Sequence, residues 1–178
     1  MFAVELDVPE RLHVAGRDWF RRPEFHVTTF TPGDLAEAFD VDEAALVRAG
    51  ARHGDELTQR RDIRFDGRTA RVHADDGRQT LVAFCDVAGL DDVYERLSAE
   101  VGRSLPLPPT HVTLYTSQPG MKGIGLSTAA AVAAHATALP AADAEVLRRL
   151  LSREEPASLS APARSRCRRS PACSPPDL

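Results

Sequence analysis

Two triplets carry the residue types that proton-transfer chemistry needs: His26-Val27-Thr28 and His111-Val112-Thr113, 85 residues apart. Each sits in a run dense in β-branched and aromatic residues, Phe25 to Phe30 (FHVTTF) and Thr110 to Thr116 (THVTLYT), which is the composition of a strand. On a strand, residues i and i+2 project from one face, so each triplet offers an imidazole and a hydroxyl side by side. Brought together, two such strands present two His and two Thr to one pocket. Histidine, with an ordinary pKa of about 6.5, serves as acid or base near neutrality. This is the equipment for cleaving a cyclic phosphodiester. One imidazole takes a proton from an attacking water and the other protonates the departing ribose oxygen, while the threonine hydroxyls donate to the non-bridging oxygens. Such a scheme calls for no metal and no cofactor.

A single His-x-Thr triplet is too short to argue from, and the weight lies in the repeat with its matching context. His13, His53, His73 and His135 have no partner at ligand or catalytic spacing and read as surface positions. Gly120, Gly123 and Gly125 surround Lys122, but no Gly-Lys-Ser/Thr closes the loop, so it reads as a rim of the site and not as a phosphate-binding loop of the Walker type. Trp19 is the aromatic before the first triplet and offers a ring for stacking on a base. Tyr115 lies two residues after Thr113, a parity that puts it on the same face and makes it a pocket-lining candidate. Arg17, Arg21 and Arg22 lie in what reads as a solvated loop before the first triplet.

The elements that must position these residues can be read from the periodicity. Phe2 to Val8 (FAVELDV) alternates as a half-buried strand. From Asp34, taken as an N-cap, apolar residues recur at helical spacing as far as Gly50, as two short helices broken near Asp40. Ile63 to Phe65, Thr69 to His73 and Thr80 to Val87, with turns at Asp66-Gly67 and Asp76-Gly77, read as consecutive antiparallel hairpins. Leu90, Val93, Leu97 and Val101 form the apolar stripe of a helix stopped by Gly102. Pro106, Pro108 and Pro109 lead into the second triplet; helices follow from about Ser127 to Leu139 and from about Ala142 to Leu151.

Composition narrows the function classes. At 178 residues, 43% apolar and 27% charged, the chain suits one soluble catalytic unit. The net charge is −4, and residues 1 to 152 alone carry 17 basic and 23 acidic groups, or −6. That balance disfavours long duplex nucleic acid, whose non-specific binding needs a basic surface, and leaves a small nucleotide or an RNA end as partner. No run approaches the roughly 20 apolar residues of a membrane span, and Glu5 and Asp7 stand where a signal peptide would be basic and apolar, so a cytoplasmic location and no membrane partner are expected. Cys85, Cys167 and Cys173 suggest neither a zinc cluster nor a disulfide framework. Residues 153 to 178, rich in Pro, Ser and Arg, are expected to be a disordered tail after a domain spanning 1 to 152.

The paired triplets, together with the strand-like FAVELDVP at the start of the chain, resemble the 2H phosphoesterase superfamily, which includes the 2′-5′ RNA ligase-like proteins and the cyclic phosphodiesterases. The resemblance covers roughly residues 1 to 150. It implies a bilobal α+β fold of two pseudo-twofold-related antiparallel sheets flanked by helices around a central cleft, with one triplet strand on each wall. It further implies a monomeric, metal-independent phosphodiesterase acting on the 2′,3′-cyclic phosphate of a nucleotide or RNA end. His26 and His111 are then interchangeable general acid and base with Thr28 and Thr113 contacting substrate, and Tyr115 and Trp19 stand beside them as substrate-contact candidates read from their own positions. A non-catalytic nucleotide- or RNA-end-binding module with the same pocket, and an RNA 2′-5′ ligase-like activity, are the alternatives.

Overall fold

The two triplet strands pair with each other, and the rest of the fold is built outward from that contact. The structure, a computed structural model, describes residues 1–58 and 62–152; the segment read as a disordered tail lies outside the described residues. The strands are β1 (Phe2–Val4), β2 (Arg11–Val14), β3 (Arg17–Arg21), β4 (Phe25–Val27), β5 (Ile63–His73), β6 (Gln79–Val87), β7 (His111–Thr116) and β8 (Ala136–Ala138). They form one eight-stranded antiparallel sheet in the order β1-β4-β7-β6-β5-β8, with the β2–β3 hairpin joined to β7 through β3. Helices α1 (Pro32–Phe39), α2 (Glu43–Arg52) and α3 (Gly54–Thr58) connect β4 to β5, and α4 (Leu90–Val101) connects β6 to β7. Helix α5 (Ala129–His135) precedes β8, and α6 (Ala141–Ser152) follows it. The fold is therefore α+β, as expected, and hydrogen bonding links both triplets within one sheet.

Each face of the sheet has its own cover. Phe25, Val27, Leu81, Ala83, Val112 and Leu114 face a core closed by Trp19 of the hairpin and by Leu147 and Leu151 of α6. Fully burying each such Leu stabilises by roughly 1.5–3 kcal/mol, above the roughly 0.7 kcal/mol that separates ordinary residues in helix propensity, so packing holds α6 in place. The opposite face carries Ala70, Val72, Val82 and Phe84 under Ile124 and Leu126 of the glycine-rich loop and Val132 of α5. A third cluster joins α1 to α4 through Leu35, Leu46, Leu57, Val93 and Leu97. It is tied to the end of β4 by buried hydrogen bonds: the Thr29 hydroxyl donates to the Leu57 carbonyl (2.8 Å) and the Tyr94 hydroxyl to the Thr29 carbonyl (2.9 Å). Among the described residues no helix is long and apolar enough to cross a membrane.

Several local expectations are corrected. The first strand is confined to Phe2–Val4. The segment read as an arginine-bearing loop is the β2–β3 hairpin, turned by Ala15 and Gly16 at positive φ (51° and 70°), the two-residue geometry that matches strand twist. Helix α1 starts at Pro32 behind Thr31, because Pro suits the first helical position; Asp34 lies inside the first turn. Gly50 does not end α2: a methyl there would strike the Phe30 ring, so the glycine serves packing. Ile63–Phe65 and Thr69–His73 are one strand, since both pair with β6, and the presumed Asp66-Gly67 turn is a bulge within it. The alanine-rich helix stops at His135 because Ala136–Ala138 pairs with the edge of β5.

His53 couples the helices electrostatically, its Nδ1 bonding Glu56 of α3 (3.0 Å) and its Nε2 bonding Glu100 of α4 (2.8 Å). Arg52 and Arg96 brace the same two carboxylates. These hydrogen bonds raise the His53 pKa above the ordinary 6.5. A group whose folded pKa is raised adds stability that is complete below the unfolded pKa and lost as pH climbs through the folded one. Urea unfolding across pH 6 to 9 should therefore show stability falling from about pH 6.5 upward, and His53→Gln should flatten that fall.

Candidate active site

The register between β4 and β7 brings the two triplets together. Val27 lies opposite Val112 in an antiparallel pair, and continuing that register sets His26 opposite Thr113 and Thr28 opposite His111. The imidazoles are diagonal neighbours, whose Cβ atoms in such ladders stand about 7–8 Å apart or slightly less. Both point away from the Trp19 core: Phe25 and Val27 on either side of His26 are buried in it, while His111 and Thr113 pair with Phe84 and Val82 on the other face. The two threonines are half-buried, and their hydroxyls make no hydrogen bond to another described residue.

The two imidazoles differ in environment. His111 is 9% exposed, its ring tilted against Phe84 at a centroid distance of 6.2 Å. Its Nδ1–H donates to the Pro109 carbonyl (3.0 Å), which leaves Nε2 to carry the lone pair. Burial holds its pKa below the ordinary value and the nearby His26 lowers it further, while hydrogen bonding to the Pro109 and Ile124 backbone opposes both. His26 is half-buried; burial lowers its pKa too, followed by the Arg22 cation, against an opposing pull from Glu24. Arg22 is not a solvated loop residue. It is half-buried in the break between β3 and β4, where its Nη1 donates to the Met121 carbonyl (2.6 Å) and so ties the glycine-rich loop to the His26 strand. That loop reaches the second triplet: a methyl on Gly123 would stand 3.0 Å from the Thr113 hydroxyl.

Tyr115 and Trp19 do not join the site. A bulge in β7 sets Tyr115 opposite Leu81 while Thr113 faces Val82, so Leu114 is the extra residue and the period-2 parity breaks after Thr113. Tyr115 is fully buried in the core on the other face, its hydroxyl donating to the Pro9 carbonyl (3.1 Å). Trp19 is fully buried in that core as well, with Nε1 donating to the Val14 carbonyl (3.1 Å) and the Arg17 guanidinium 4.9 Å from its ring centre. Phe84 and Ile124 come to the site without having been singled out. For Phe84 the signal was present, as a large apolar residue in the Thr80–Val87 run.

Two open grooves flank the pair. One, of about 530 Å³, reaches His26 beside Ala3, Glu5, Arg21 and Glu24. The other, of about 670 Å³, ends at Thr110 beside His111 and runs past Arg64, Arg68 and Asp86. Neither of these grooves is lined by both histidines; the sheet register, not a cavity, relates the two. Among the described residues no group of three or more His, Cys, Asp or Glu is placed to hold a metal ion.

In comparisons with protein-family models, curated proteins and solved structures, nothing matches the chain.

The placement of Tyr115 has a measurable consequence. Tyr115→Phe should cost about 0.5–1.5 kcal/mol in urea unfolding through the lost bond to Pro9. The pKa values of His26 and His111, followed by NMR, should stay as in the wild type; a shift in either would put the Tyr115 hydroxyl on the triplet face.

Proposed function

We propose that the chain is a phosphodiesterase of the 2H type, hydrolysing the 2′,3′-cyclic phosphate of a nucleotide or RNA end without a metal. The observation that carries the reading is the diagonal placement of His26 and His111 on one face of paired antiparallel strands, each with a threonine hydroxyl across from it. A pseudo-twofold relation between two lobes belongs to the same proposal, and the antiparallel crossing of two equal triplets supports it. The protein acts in the cytoplasm as a monomer.

The environments of the imidazoles support a division of labour. His111, more buried and held as the Nδ1–H tautomer by Pro109, stays neutral and acts as base through Nε2. It takes a proton from water, whose oxygen bonds to phosphorus. His26, more exposed and beside Glu24, carries the proton that goes to the 2′ or 3′ oxygen as its bond to phosphorus breaks. Thr28 and Thr113 donate hydrogen bonds to the non-bridging oxygens, where charge builds in the pentacovalent transition state.

Phosphorus NMR of the wild type with 2′,3′-cyclic nucleotides in excess EDTA should show conversion to one monophosphate isomer. His26→Ala and His111→Ala should each lower the rate about 100-fold or more. Saturable binding without turnover would instead make the protein a binding module, and a wild-type rate in either variant would remove that histidine from the mechanism. Because both pKa values are lowered, the pair holding a single proton is most populated on the acid side of 6.5. The kcat/KM profile should be bell-shaped with both limbs displaced to acid, whereas kcat, measured with the phosphate anion bound, should peak at higher pH.

A further inference from the structure

The bulge in β5 has no role in the chemistry above, yet it is built with care. Phe65 pairs with Cys85 and Thr69 with Ala83, so Asp66, Gly67 and Arg68 stand against Phe84 alone. Gly67 takes φ +80°, which residues with a Cβ rarely adopt. The Asp66 carboxylate then closes the bulge, with Oδ1 accepting from the Arg68 backbone N–H (2.8 Å) and Oδ2 from Nε and Nη2 (both 2.6 Å). The result is a guanidinium held along one edge and laid over the Phe84 ring, 5.0 Å from its centre. Phe84 is 5% exposed, whereas the Arg68 side chain is 72% exposed, so the guanidinium covers the ring and leaves its other side to solvent. On its far flank Phe84 meets His111.

We propose that Arg68, laid over Phe84 beside His111, is the platform on which the substrate's nucleobase stacks, making it a specificity-determining residue for a base-bearing cyclic phosphate. The inference rests on the reading of His26 and His111 as the phosphodiester site. Planar guanidinium groups stack on bases, and a pre-positioned one loses little freedom on binding. Charge selects the base over a second phosphate as the ligand. The groove alongside holds Asp62, Asp86 and Asp91 against Arg64 and Arg68, and Asp66 already neutralises Arg68, so a polyanionic strand gains little there. A neutral aromatic ring does not meet that repulsion. With the cyclic phosphate between the imidazoles, the base lies one ribose away, toward Phe84 and its cover.

The test compares adenosine 2′,3′-cyclic phosphate with the baseless methyl riboside 2′,3′-cyclic phosphate, using the full chain as wild type, Arg68→Gln and Arg68→Lys. Turnover is followed by phosphorus NMR and binding by calorimetry. The wild type should favour the adenosine compound about tenfold in KM, and both variants should lose that preference, Lys included because it keeps the charge but not the plane. Equal KM values in the wild type, or a preference that survives in Arg68→Gln, would overturn the platform while leaving the phosphodiesterase reading intact. If the wild type turns over neither compound, that reading falls for free nucleotides and is left with an RNA end as substrate. Calorimetry then decides the platform separately: adenosine-dependent binding lost in Arg68→Gln upholds it, and no difference between the two compounds removes it.

Discussion

The pairing of Val27 with Val112 is the constraint on which the site depends. These two valines are the middle residues of the two triplets, and both are fully buried. Each contributes roughly 1.5–3 kcal/mol by leaving water. Because strand side chains alternate, burying the valines commits the flanking His and Thr to the opposite face. A slip of one residue would turn the valines toward solvent and the histidines into the Trp19 core, so the apolar burial that stabilises the sheet also sets the chemistry. The triplet is thus a unit: its centre anchors the register and its ends carry the polar groups.

Around that pair, two bulges decide which side chains reach the site. The bulge at Leu114 reverses the parity of β7, sending Tyr115 into the core and to Pro9. The bulge at Asp66–Arg68 does the opposite service, bringing a polar side chain over Phe84 and toward His111. In both cases one partner strand, β6, sets the outcome, because a bulge exists only where two strands count residues differently. The glycine-rich loop completes the enclosure. Arg22 holds it at Met121, Gly123 lets it approach Thr113, and Ile124 and Leu126 pack on the sheet beside His111. Desolvation by this cover is the leading reason that His111 favours its neutral form.

What could be read along the chain was local. The alternation within FHVTTF and THVTLYT put His26 beside Thr28 and His111 beside Thr113, the stop of α4 fell at Gly102, and the span of α6 lay within a residue of its expected place. The α+β class was what the resemblance implied, and the separate helical and antiparallel-hairpin periodicities agree with it. Where a local pattern had two outcomes, the expectation failed. Asp66-Gly67 suits a hairpin turn or a bulge, the alanine-rich run suits a longer helix or a helix with an edge strand, and the arginine-rich segment before the first triplet hid a hairpin.

The sequence by itself determined which residues share a face within each short strand, because period-2 geometry needs only neighbouring residues. Tertiary structure alone decided that β4 lies against β7, that β7 bulges after Thr113, and that Arg68 folds over Phe84. Each depends on a ladder partner dozens of residues away, and the free energy that selects it comes from burying apolar side chains of both strands at once, a quantity no local window contains.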